Sequence, residues 1–151
     1  MRRLLLALLM LTLVTPLAAQ PTGDALVAGK DYVLIEPAQA TATAGKVEVL
    51  EAFSYGCAAC SSAQPYVDRW KANLPANATF AYLPVTFRPD FALLARGYLA
   101  AQALGVAERT HQPMFDAMRG GTPVTRIEDV ADLYAKLEVD RAQFLAAASS
   151  F

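Results

Sequence analysis

Cys57 and Cys60 are the two cysteines of the chain, and only two residues separate them. A disulfide across so short a ring would stabilise the fold by about 2 kcal/mol, against about 3 kcal/mol for a 15-residue loop. A zinc site needs three or four protein ligands, and the one histidine, His111, is distant in sequence. A structural disulfide and a metal site stay open as alternatives, but the spacing favours a reactive dithiol that exchanges with other disulfides.

The residues around the cysteines predict where the pair lies in the fold. Residues 47–55 are rich in β-branched and aromatic side chains and predict a strand, Gly56 predicts a turn, and a helical pattern follows. Cys57 would then lie at the helix N-terminus, where free N–H groups and the helix dipole stabilise a thiolate. Cys60 would lie one turn further in, within reach of a disulfide but less exposed. Two sulfurs that differ in access and in pKa suit thiol–disulfide exchange.

Glu51 is the third residue that could take part in this chemistry. Strand alternation places its side chain on the same face as Val47, Val49 and Phe53. A carboxylate among apolar neighbours is costly unless it is neutral, paired or solvated. Glu51 is therefore either an acid at a strand edge or a buried acid beneath the disulfide. In the second case burial would raise its pKa and it would move protons to and from the sulfurs. His111 is expected to be structural or at the surface.

The rest of the chain predicts an α/β or α+β fold in which strands come first and helices follow. Residues 47–55 are expected to be buried on both faces of a sheet. Thr125 and Glu128 have the spacing of a capping box, and Asp140 is the expected N-cap of the last helix. The predicted strands are 31–37, 47–55 and 79–87, and the predicted helices are 60–74, 91–105, 111–121, 125–139 and 141–150.

The N-terminus indicates export. Two arginines precede an apolar run over residues 4–14, Pro16 ends the run, and small residues lead to Ala19. This is the pattern of a secretory signal peptide, and the run is short for a membrane anchor, which needs about 20 residues. The signal peptide would hold two of the 13 basic residues and no acidic one, which leaves 11 basic against 14 acidic side chains. That balance, with no basic patch, argues against a nucleic acid partner.

Two segments carry a specific resemblance. "GKVEVLEAFSYGCAAC", with "DYVLIEP" upstream, and "VTFRPDFALLARGYLAAQALG" further along resemble the thiol:disulfide interchange proteins of the DsbA family. The resemblance covers essentially all of the chain after the signal peptide. It implies a periplasmic protein with a thioredoxin fold and an inserted helical domain, which oxidises cysteines in newly exported proteins without a bound cofactor.

The resemblance also implies roles, partners and domain limits. Cys57 would be the attacking and leaving sulfur and Cys60 its buried partner. Glu51 stands six positions before Cys57, where the family carries an acidic residue. The implied partners are reduced or unfolded exported proteins and a DsbB-like, quinone-linked membrane protein that reoxidises the pair. Residues 1–19 would be the signal peptide, 20–90 the N-terminal part of the thioredoxin-like domain, and 91–151 the helical insertion domain.

The sequence departs from the family pattern in two places. Ala58 and Ala59 stand between the cysteines, where familiar members have proline and histidine. The sequence as given ends at "AAASSF", so we expect it to lack the family's C-terminal strands, cis-proline loop and final helix. The "GTPV" at residues 121–124 precedes a helix and is expected to be a turn.

Two classes of function remain open on the sequence. The first is a dithiol oxidase of exported proteins, with a disulfide reductase or isomerase as its nearest rival. The second is a non-catalytic exported binding domain in which Cys57–Cys60 is a structural disulfide. Chemistry at the Cys57 thiolate separates the two classes.

Overall fold

The structure is a computed structural model, and it describes residues 25–151. The expected signal peptide, residues 1–19, lies outside the described residues. The described residues divide into two units, residues 25–39 and residues 40–151.

In the first unit, the strand predicted over residues 31–37 is wrong. The described residues form only an isolated bridge between Ala28 and Tyr32, around a turn in which the Asp31 carboxylate accepts the Val27 N–H at 2.9 Å. Val33, Leu34 and Ile35 are 82%, 63% and 72% exposed. These residues have strand-forming side chains, but β propensity reflects packing on a pleated surface, and within residues 25–39 they pack on none.

The second unit alternates strand and helix and then continues as helices. No helix within residues 25–151 is long and apolar enough to cross a lipid bilayer. The element order is β1 (Val47–Phe53), α1 (Ala58–Lys71), β2 (Ala78–Pro84), α2 (Pro89–Ala103), α3 (Ala107–Arg119), α4 (Ile127–Ala135) and α5 (Arg141–Ala148). Every element predicted between residues 47 and 151 is therefore present, with shifted ends.

Helix α3 begins four residues before its predicted start at His111. Gly105, at a φ of 69°, ends the preceding helix, and Val106 is already the N-cap of the next. The Thr110 hydroxyl donates to the Val106 carbonyl at 2.9 Å, so this residue lies inside the helix with its polar group satisfied. The sequence pattern does not reveal the first turn of α3, because residues 108–110, just before His111, are polar.

The two strands pair in parallel, with Val47 opposite Ala78 and Phe53 opposite Pro84. Helix α1 makes the crossover between them, as parallel pairing requires. It packs on the face that holds Phe80 and Tyr82, since the Lys71 ammonium lies 5.1 and 4.8 Å from the centroids of those two rings. Glu51 pairs with Tyr82 in the register and therefore shares that face.

The opposite face of the sheet is open in the part of the chain that the structure describes. Leu50 is 51% exposed and Leu83 is 50% exposed. The expectation that β1 is buried on both faces is therefore wrong, because only the face beneath α1 is covered. A run of apolar residues does not by itself tell one covered face from two.

The core lies among the helices and at the end of β1. Gly97 allows α2 and α4 to pack closely, because a Cβ there would lie 2.6 Å from Cγ1 of Val130. Tyr134 stacks on Phe144 with ring centroids 4.5 Å apart, which joins α4 to α5. The largest fully buried side chains are Tyr134, Phe53, Phe115, Phe144, Met114, Gln64, Val130 and Thr110.

The starts of the last two helices test the predicted caps. Asp140 accepts the Gln143 N–H at 2.8 Å, which confirms it as the N-cap of α5. The capping box predicted from Thr125 and Glu128 is wrong by one position. Asp129 instead accepts the Thr125 N–H and hydroxyl, both at 2.9 Å, and these bonds lower the pKa of Asp129 to about 2. Because α4 begins at Ile127 with Arg126 as its N-cap, the acidic residue three positions after the cap is Asp129 and not Glu128.

Candidate active site at the start of helix α1

A disulfide joins Cys57 to Cys60 at the N-terminus of α1, with Cα atoms 5.3 Å apart. Cys57 is the N-cap residue, and its Sγ accepts the backbone N–H of Cys60 at 3.2 Å. The predicted position of Cys57 at the helix start is therefore confirmed. An N–H at the positive end of a helix favours negative charge on the atom that it faces, so this arrangement stabilises a Cys57 thiolate after reduction.

A tight turn between β1 and α1 holds Cys57 in place. The Cys57 N–H donates to the Ser54 carbonyl at 2.9 Å, and the Gly56 N–H donates to Ser54 Oγ at 3.2 Å. Ser54 is buried. A Cβ on Gly56 would lie 2.8 Å from the Phe91 ring of α2, so glycine allows the turn to approach α2 this closely.

The two sulfurs have different surroundings, although both cysteines are partly buried. Cys60 packs against the hydrophobic core. Ala58 and Ala59 are exposed beside Cys57. The prediction that Cys60 is the inward member of the pair agrees with this packing.

Within residues 25–151, no group of three or more His, Cys, Asp or Glu side chains is arranged to hold a metal ion. Both sulfurs are used in the disulfide, and His111 bonds to other partners.

Glu51 is half-buried on the covered face of the sheet. Its Oε2 atom is buried and has no hydrogen-bond partner. Burial raises the pKa of Glu51, the Lys71 ammonium lowers it, and the Asp68 carboxylate raises it further. A carboxyl group that lacks a partner for one oxygen is easier to keep protonated than an exposed one. The burial expected for Glu51 is therefore present, while its part in the chemistry stays a prediction.

His111 is the polar residue whose importance the sequence did not reveal. It is 5% exposed, its Nδ1 lies 3.0 Å from the Tyr55 hydroxyl, and its Nε2 lies 3.1 Å from Oε1 of Gln64. The Gln64 amide nitrogen donates to the Asp68 carboxylate at 2.8 Å and to the Tyr82 hydroxyl at 2.6 Å. The Gln64 oxygen therefore faces His111, so His111 donates from Nε2 and accepts the Tyr55 proton at Nδ1.

These bonds fit a neutral imidazole. Burial, and after it the Lys71 ammonium, lowers the pKa of His111 to about 4, with an opposing effect from Asp68. Of the two positions expected for His111, structural or at the surface, the structural one is confirmed. The signal for burial was its helical spacing, since Met114 and Phe115 lie three and four residues further along the same helix face.

The chain is similar in sequence to known proteins over its whole length. No family model matches the chain. The thiol:disulfide interchange protein DsbA of Burkholderia cepacia is 34% identical over 153 residues, which cover 100% of this chain and 72% of the relative. The protein of the same name from Pseudomonas aeruginosa is 33% identical with the same coverage. The chain belongs to the DsbA family.

Solved DsbA structures agree with this assignment. The crystal structure of Pseudomonas aeruginosa DsbA superposes with a TM-score of 0.76 at 31% identity, over 83% of this chain and 66% of that one. The oxidoreductase DsbA from Xylella fastidiosa gives a TM-score of 0.66 at 35% identity, over 70% of this chain and 58% of that one. The resemblance found in the sequence is therefore confirmed, as is the DsbA-like mixed α/β fold with its thioredoxin-like character.

The chain spans only part of the length of its DsbA relatives. It covers 61% of the DsbA of Pseudomonas syringae pv. tomato, to which it is 32% identical, and 72% of the Burkholderia cepacia protein. The substrates and partners of this chain are therefore a matter of proposal.

Proposed function

We propose that this DsbA-family chain is a periplasmic thiol:disulfide oxidoreductase that passes its Cys57–Cys60 disulfide to exported proteins. The observation that carries the proposal is the disulfide at the N-cap of α1, with the Cys57 Sγ facing the Cys60 N–H. A disulfide that serves only to hold the chain together has no need of a helix N-terminus aimed at one of its sulfurs. This arrangement makes Cys57 the better leaving group.

The proposed reaction is a two-step exchange. A substrate thiolate attacks the Cys57 sulfur, which breaks the Cys57–Cys60 bond, forms a mixed disulfide and releases the Cys60 thiolate. A second substrate thiolate then attacks the substrate sulfur of the mixed disulfide and expels the Cys57 thiolate. The substrate gains one disulfide and loses two protons and two electrons. The chain gains the two electrons, and its two cysteines take up two protons as they become thiols.

Glu51 is proposed to handle one of those protons. The buried, unpartnered Oε2 and the raised pKa of Glu51 suit a group that can hold a proton and release it. Its place on the sheet face covered by α1, the helix that carries both cysteines, supports an exchange with Cys60 across the covered layer.

Localisation and reoxidation complete the proposed cycle. Residues 1–19 support export, and the thioredoxin-like part would comprise residues 20–90 and the helical part residues 91–151. A DsbB-like membrane protein would take the two electrons and two protons from the reduced pair to a quinone. The substrates would be reduced or unfolded exported proteins.

The decisive experiment measures disulfide formation in a reduced test protein with two thiols. The oxidised chain should consume the test protein's thiols, and Cys57→Ser should abolish the reaction. The reduced Cys60→Ser variant should form a mixed disulfide with an oxidised test protein through Cys57. Ser62→Ala, an exposed change in the same helix, should react as the original chain does. An original chain that forms no disulfide in the test protein would leave the non-catalytic binding domain as the better interpretation, and full activity in Cys57→Ser would show that Cys57 takes no part in the reaction.

The role of Glu51 calls for its own comparison. Glu51→Gln keeps the shape of the side chain but cannot release a proton, so the exchange rate should fall by roughly tenfold or more. The pH–rate profile should also lose the limb that the Glu51 carboxyl produces. Glu48→Gln is the matched control, because Glu48 lies on the same strand but points to the other face. Equal rates and profiles in both variants would assign Glu51 a structural role only.

A further inference from the structure

Arg119 reaches across from α3 to the helix that carries the disulfide. It is the last residue of α3, and its Nη2 donates to Oγ of Ser61 at 2.7 Å. Ser61 follows Cys60 directly and is 5% exposed. The Ser61 N–H in turn donates to the Cys57 carbonyl at 3.1 Å. Two hydrogen bonds therefore link the Arg119 guanidinium to the backbone of Cys57.

The first turn of α1 has no charged residue of its own. It consists of Ala58, Ala59, Cys60 and Ser61, so its sequence contributes neither a cation nor an anion. The tertiary structure adds the Arg119 guanidinium at this turn. One carboxylate offsets it weakly, since Asp116 lies 3.5 Å from the same Nη2 and both side chains are more than half exposed.

We infer that Arg119 is a positioning residue of the redox pair, which holds a positive charge at the first turn of α1 through Ser61 and so stabilises the Cys57 thiolate. The inference rests on the proposed function, in which the Cys57 thiolate is the leaving group. A cation at this turn acts in the same direction as the free N–H groups, because both lower the free energy of an anion at the N-cap. It makes the reduced pair more stable relative to the disulfide.

The test is the equilibrium with glutathione, in which the disulfide and two glutathione thiols give the Cys57 and Cys60 thiols and one glutathione disulfide. Arg119→Gln should shift the equilibrium constant about threefold toward the Cys57–Cys60 disulfide, the usual size for one charge near the surface. Arg119→Lys should keep the equilibrium constant close to that of the original chain, because its ammonium can also donate to Ser61. Ser61→Ala should shift the constant in the same direction as Arg119→Gln. Arg141→Gln, which removes an exposed cation bound to Asp132 on other helices, should change nothing.

Three results would overturn the inference. They are an unchanged constant in Arg119→Gln, an equal shift in Arg119→Lys and Arg119→Gln, and an unchanged constant in Ser61→Ala. The shift should shrink at 1 M salt, since Arg119 is 62% exposed, whereas a shift caused by altered packing would not. These readouts concern Cys57 and glutathione alone. Failure of the proposed function would appear separately, as an original chain that cannot oxidise a reduced protein.

Discussion

The two residues between the cysteines, at positions 58 and 59, add little to the stability of the Cys57 thiolate. Both are alanines, exposed at the helix start, and they bring only methyl groups to the site. The Cys60 N–H and the Arg119 contact with Ser61 are then the stabilising features that the structure places there. A histidine at position 59 would add a hydrogen-bond donor and, when protonated, a positive charge.

We therefore expect Ala59→His to lower the Cys57 pKa and to make the disulfide a stronger oxidant. Thiolate absorbance against pH and equilibration with glutathione measure the two effects. Ala59→Gln is the matched control, because it adds a polar side chain without a charge. If Ala59→His leaves both quantities unchanged, the helix N-terminus and Arg119 set the stability of the thiolate without regard to the dipeptide.

At the scale of elements, one close helix contact organises the layer behind the site. Gly97 of α2 faces Val130 of α4, and Phe144 of α5 lies 3.7 Å from the position of the missing Cβ. The turn that holds Cys57 rests on α2 through Gly56 and Phe91. A change at Gly97 therefore tests how the helices support the site.

Gly97→Ala should destabilise the chain by about 1–3 kcal/mol, because its Cβ would lie 2.6 Å from Cγ1 of Val130, closer than van der Waals contact allows. Helix propensity alone predicts the opposite sign, a gain of about 1 kcal/mol. Urea unfolding decides between them. In a double-mutant cycle, Val130→Ala should recover about 1 kcal/mol or more of the Gly97→Ala loss, since it removes the clashing methyl groups. Additive effects would show that α2 moves away instead.

At the scale of the whole molecule, the buried His111 links global stability to pH. Its pKa is about 4 in the fold against about 6.5 unfolded, so the unfolded chain binds the proton more tightly. The stability that depends on neutral His111 is complete above pH 6.5. It is lost progressively as the pH falls from 6.5 to 4. The total loss amounts to about 3 kcal/mol, since one pKa unit corresponds to about 1.4 kcal/mol.

Comparison of the original chain with His111→Gln isolates this effect. Glutamine can still accept from Tyr55 and donate to Gln64 but does not titrate. The unfolding free energy of the original chain minus that of His111→Gln should decrease as the pH falls from 7 to 4. Glu51, whose pKa is raised by burial, acts in the opposite direction, because the fold holds its proton more tightly and loses stability as the pH rises. Its contribution cancels in the difference. A difference that stays constant with pH would mean that His111 takes up its proton as readily in the fold as in the unfolded chain.

The sequence alone determined what depends on residues close together in the chain. The strand, turn and helix around the cysteines follow from apolar patterning and a glycine, and the Asp140 cap follows from a hydrogen bond that spans three residues. The same short-range patterns placed Cys57 at the helix start. They failed for residues 31–37, which form only the isolated bridge between Ala28 and Tyr32 among the described residues.

Only the tertiary structure decided which distant residues meet. Tyr55 and His111 are 56 residues apart in sequence, Gln64 and His111 are 47 apart, and Ser61 and Arg119 are 58 apart. Helical spacing could show that His111 faces inward, but not that the Gln64 amide and the Tyr55 hydroxyl lie within hydrogen-bond distance of it. Composition could show that the first turn of α1 has no charge, but not that Arg119 supplies one. Local patterns fix the direction in which a side chain points, whereas its partners are set by the packing of helices against one another and against the sheet.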